Sequence, residues 1–135
     1  MLTRTLLAVA LVLLLAAPAP AQTPPAPPPP RSEGGAAPFD NDLQRLSEIL
    51  GALHYLREIC GAREGQKWRD EMTALVDSEA PTGDRRSRMV ASFNRGYRGF
   101  QQAYRSCTPA ADVAIRRYLE EGSKIAREVT ARYAD

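Results

Sequence analysis

Two cysteines, Cys60 and Cys107, lie 47 positions apart behind an apolar leader, and they constrain the fold more than any other feature of the chain. The leader has one early positive charge, Arg4, then an apolar run over residues 6–17 and the small residues Ala19-Pro20-Ala21. That pattern predicts a secretory signal peptide over residues 1–21, cut between Ala21 and Gln22. The apolar run is shorter than the roughly 20 residues that a membrane-spanning helix needs, so no integral span is expected after processing. In a Gram-negative bacterium the destination would be the periplasm, an oxidising space in which disulfides persist.

Residues 22–38 are rich in proline and hold no large apolar side chain, so nothing offsets the entropy cost of ordering them. They read as a disordered tether. Consecutive prolines favour an extended spacer, and a proline-rich ligand for an aromatic groove is the functional alternative.

From Phe39 the prolines thin to Pro81 and Pro109, and apolar residues recur at helical spacing over one domain, residues 39–135. Leu43, Leu46, Ile49, Leu50, Leu53, Leu56 and Cys60 predict a first helix with one apolar face, capped by Asp40 or Asn41 and ended by Gly61. Trp68, Met72, Leu75 and Val76 predict a second, which stops before Pro81. A third is expected over residues 83–106, with Met89, Phe93, Tyr97, Phe100 and Tyr104 on one face. Thr108-Pro109, with Asp112 in the first turn, opens a fourth, whose stripe is Ala111, Ile115, Tyr118, Gly122, Ile125, Val129 and Tyr133.

The fold class is therefore all-α: a small four-helix bundle of antiparallel neighbours stapled by one disulfide, behind a signal peptide and a Pro-rich tether. In an up-down bundle the first and third helices end at the same side, where Cys60 and Cys107 fall. Such a bridge stabilises by about 4 kcal/mol in the chain-entropy account. A redox-active pair or two free thiols are the alternatives, although redox pairs usually sit two residues apart.

The stretches 43–57 and 93–100, followed by Cys107-Thr108-Pro109-Ala110-Ala111, resemble a family of small exported alphaproteobacterial proteins grouped as a domain of unknown function. The likeness covers nearly all of residues 40–130. It implies an envelope protein with two separated cysteines, matching Cys60 and Cys107, and it brings no activity or ligand.

The residues themselves show no catalytic constellation. His54 is the only histidine and sits near Arg57 at the edge of the first apolar face, where a packed, hydrogen-bonded role is the plainer expectation. A polar cluster of His54 and Arg57 is the enzymatic alternative, with the site assembled across helices. One imidazole and two oxidised cysteines fall short of a zinc site, and no cofactor is expected.

Charge is distributed unevenly. Residues 81–107 carry Arg85, Arg86, Arg88, Arg95, Arg98 and Arg105 against the single acid Asp84. Arg88, Arg95, Arg98 and Arg105 form a cationic stripe opposite the aromatics. The stripe reads as a solvated face partly complemented by the acidic second helix, or as a surface for an anionic envelope component or an envelope protein. Nucleic acid is disfavoured for a nearly neutral, exported domain. Gly96 and Gly99 each cost a helix about 1 kcal/mol. They predict close approach of another helix, with Gly51 and Gly122 as counterparts, or a groove walled by Tyr97, Phe100 and Tyr104. The functional expectation is a non-enzymatic binding or protein-interaction module of the cell envelope.

Overall fold

A computed structural model of the chain describes residues 36–133; the expected signal peptide and most of the expected tether lie outside the described residues. Four helices follow in order: α1 (Asp40–Ile59), α2 (Lys67–Glu79), α3 (Gly83–Ala103) and α4 (Pro109–Tyr133). No strand occurs among the described residues.

The start of α1 differs from the expected cap. Phe39 precedes the helix without a side-chain cap, and Asp40 is its first residue. The Asp40 carboxylate accepts the backbone N–H of Ala37 at 2.9 Å and pairs with Arg85 at 2.7 Å. At the other end Gly61 takes φ +78°, a left-handed conformation that suits glycine, while its N–H reaches Glu58 O and the N–H of Ala62 reaches Arg57 O. These crossed bonds satisfy the last carbonyls of the helix and reverse the chain.

Helix α1 is buried on more than the one face its spacing suggested. Leu43 and Leu50 join Met72 and Val76 of α2 and Met89 and Phe93 of α3 in one core cluster. Ile49, Leu53 and Leu56 join Ala111 and Ile115 of α4 in a second. A helix that contributes to both clusters is a central one, and the other three pack against α1.

Its closest neighbour is parallel rather than antiparallel. Asp40 pairs with Arg85 near the starts of α1 and α3, Glu48 with Arg95 midway at 3.3 Å, and the Tyr55 hydroxyl donates to Tyr104 O near their ends. Glycine permits this approach. A Cβ on Gly51 would overlap the carbonyl of Phe93, and a Cβ on Gly96 would overlap that of Glu48. Gly122 lies buried against Ile49 and Leu46, letting α4 settle on α1, whereas Gly99 faces open space.

Helix α3 stops at Ala103, short of the expected residue 106, because Tyr104 turns extended (φ −125°, ψ 121°). There its ring stacks on Phe100 at 5.8 Å while its carbonyl receives Tyr55. Cys107 consequently lies in the connection before α4, further past the end of α3 than expected. It still meets Cys60, the residue that closes α1, in a disulfide with Cα atoms 4.7 Å apart. Thr108 Oγ1 accepts the N–H of Ala111 at 3.1 Å and caps α4 as its sequence predicts. Among the described residues no helix is long and apolar enough to cross a membrane.

Candidate functional site

The reversal at Gly61 folds residues 62–66 back over the last turns of α1 and creates a polar cleft. Glu64 returns to Arg57, whose Nε donates to Glu64 Oε2 at 3.0 Å while its Nη2 donates to Oε1. Trp68, in the first turn of α2, donates its indole N–H to the same carboxylate at 2.7 Å. The Arg57 bond above all, with the Trp68 bond adding to it, holds the Glu64 carboxyl down to about 2.

His54 lies one turn before Arg57 and Glu58. It is 7% exposed, with Tyr97 at 5.6 Å and Phe93 at 6.1 Å between ring centroids. Its Nδ1 is buried with no hydrogen-bond partner among the described residues. The expected packing is present; the hydrogen bond expected with it is not. Burial lowers the imidazole pKa, Arg69 lowers it further, and Glu58 opposes both. His54, Arg57, Glu58, Glu64, Arg69 and Tyr97 line a cleft of about 430 Å³. Glu64 and Arg69 had no local signal in the sequence. Only the glycine-closed turn brings Glu64 to Arg57, and only the packing of α2 brings Arg69 to His54.

The other candidate residues separate. Arg88, Arg95, Arg98 and Arg105 are all exposed. Among the described residues Arg95 alone of the four has an acidic partner, and Arg105 lies beyond the end of α3. The acidic complement to the α3 arginines comes mainly from α1, through Asp40 and Glu48, rather than from α2 as expected. From α2, Asp77 reaches Arg86 at 2.9 Å, outside the stripe. The reason is that α3 packs chiefly on α1 and only lightly on α2.

The residues expected to form one aromatic groove divide between two places. Gly96 is covered by α1, and Tyr97 faces His54 and Tyr55. Phe100 and Tyr104 face α4, where Tyr118 meets Phe100 edge-on at 5.5 Å beside a cavity of about 500 Å³. Arg45 and Glu121 close its far side with a two-pronged ion pair at 2.6 and 2.9 Å. A separate apolar trough of about 380 Å³ runs between α2 and α4 over Leu46 and Leu50, rimmed by Trp68, Leu75 and Leu119. Trp68 borders both the trough and the polar cleft.

Among the described residues one group brings three potential metal ligands within 4.8 Å: Cys60, Cys107 and Asp112. Two of the three are joined in the disulfide, so their sulfurs are not thiolate ligands in this state.

Residues 38–133 match the family described as protein of unknown function (DUF2385). No curated protein and no solved structure matches the chain.

Proposed function

The chain belongs to that family of proteins of unknown function, and from its own geometry we propose that it is a non-catalytic binding module of the cell envelope, with the His54 cleft as its ligand site. The observation that carries this reading is a buried imidazole nitrogen without a partner in a side chain that lines a polar cleft. Leaving such an atom unpaired costs about 1–3 kcal/mol, and a bound molecule that hydrogen-bonds it would offset that cost.

An envelope enzyme built on His54 and Arg57 is the competing reading. General-base chemistry needs an imidazole oriented by a partner group. Here Arg57 is paired with Glu64, Glu64 also accepts from Trp68, and neither hydrogen-bonds the ring of His54. That favours binding over catalysis.

Export supports the reading as its setting: a signal peptide removed after Ala21, a proline-rich tether and a periplasmic location in an alphaproteobacterium. The signal-peptide pattern of the leader, the Cys60–Cys107 bridge and the resemblance to small exported proteins support this together. The arginine face of α3 remains available to an acidic envelope partner.

Trp68 is the only tryptophan, so its fluorescence reports on the cleft. Titrating the exported protein with the small-molecule fraction of its own periplasm should change that emission saturably, and His54→Phe should remove the response. An unresponsive native protein would overturn the reading.

A further inference from the structure

Resting on the reading of this cleft as a ligand site, we propose that its ligand is a zwitterion, a free α-amino acid or a short peptide, whose carboxylate meets Arg69 and whose ammonium group meets Glu58. Four charged side chains line the cleft: Arg57, Arg69, Glu58 and Glu64. Arg57 and Glu64 neutralise each other through two parallel hydrogen bonds. What remains is one cation from α2 and one anion from α1, and neither has an ion-pair partner among the described residues.

The residual charge of the cleft is therefore zero, with both signs present. A simple anion would meet Arg69 but leave Glu58 facing like charge, and a simple cation would do the reverse. A ligand carrying both charges satisfies both groups, and the arginine fork suits a carboxylate in particular. The guanidinium of Arg69 lies 5.8 Å from the Phe93 ring centroid, so α3 helps to hold it in place.

The remaining lining is suited to a polar ligand. Tyr97 and Gln66 both line the cleft, and neither side chain makes a hydrogen bond among the described residues. His54 lines the cleft beside them, with its Nδ1 buried behind the surface and unpartnered among the described residues. A volume of about 430 Å³ falls in the ordinary range of small-molecule sites and leaves room for a peptide of a few residues.

Calorimetric titration of the exported, oxidised protein with L-alanine, Ala-Ala and Ala-Ala-Ala, against propionate and ethylamine, tests the assignment. At least one zwitterion should bind about tenfold or more tighter than either single-charge probe, the difference expected for one charge-assisted contact. Which of the three binds tells a free amino acid from a peptide. Arg69→Gln and Glu58→Gln should each reduce that preference to about threefold or less, and both positions are exposed, so thermal melts should show that both variants fold. Propionate binding as tightly as the zwitterions would overturn the zwitterion assignment while leaving the cleft a ligand site. The same holds if none of the five probes binds although the periplasmic fraction still shifts Trp68. If neither the probes nor that fraction acts, both readings fall.

Discussion

Gly51 of α1 and Gly96 of α3 lie on facing backbones, each pressed against a carbonyl of the other helix: Phe93 for Gly51 and Glu48 for Gly96. This reciprocal contact makes α3, rather than a sequence neighbour, the closest partner of α1. Gly51→Ala and Gly96→Ala should each destabilise by roughly 2–4 kcal/mol, since overlap with fixed backbone outweighs the helix propensity gained. Gly99→Ala, which meets open space, should instead stabilise by up to about 1 kcal/mol. Denaturant unfolding of the three variants checks the contrast, and equal effects would contradict the close approach.

Phe93 is 5% exposed in the core, so Phe93→Ala should cost about 3–5 kcal/mol. Phe100 is half-buried and should cost less. Arg95→Ala removes an exposed ion pair to Glu48 and a hydrogen bond at 3.3 Å to Ser92 Oγ, and should cost about 1–2 kcal/mol, still less than Phe93→Ala. Thermal or chemical unfolding orders the three.

The Cys60–Cys107 bridge should leave no free thiol in the oxidised protein. Cys60→Ser/Cys107→Ser should lower the melting temperature by many degrees while keeping the helical circular-dichroism signal, because the bridge acts largely on the unfolded chain. Two titratable thiols in the native protein, purified without reductant, would contradict the structural role.

Acid should weaken the fold in two windows. The folded His54 pKa is depressed, so the neutral ring is preferred, and the associated stability is complete above about 6.5 and declines as pH falls below it. Arg69 of α2 and Glu58 of α1 act on the ring, Arg57 of α1 and Glu64 of the turn share its cleft, and Tyr97 faces it from α3. The folded Glu64 pKa is also depressed, so its contribution is present above about 4.5 and lost toward about 2. His54→Phe should abolish the first decline and Glu64→Gln the second, as read by melts across pH. Glu64→Gln should also cost about 1.5–3 kcal/mol at neutral pH through its lost charged hydrogen bonds.

Helix number, the α4 cap and the pairing of the cysteines were legible because each rests on local chemistry: apolar spacing, Thr108-Pro109, and the ends to which chain reversals carry Cys60 and Cys107. The hub role of α1 was not. Its second buried face shows only as Ala52 and Gly51 among apolar residues, and the spacing alone does not say which helix each face will meet. His54 stood out as the lone histidine, but its neighbours Glu64 and Arg69 come from a turn and another helix. Their contribution is tertiary, and so is the division of Tyr97 from Phe100, which sit almost one turn apart yet face different partners.

His54 is the sole histidine, so ¹⁵N NMR of a labelled imidazole reports the ring nitrogens of the cleft without overlap. The titration midpoint should lie below 6.5 in the free protein, and the nitrogen shifts should move saturably when a periplasmic small-molecule fraction is added. A midpoint at or above 6.5, with shifts indifferent to that fraction, would contradict the proposed ligand site.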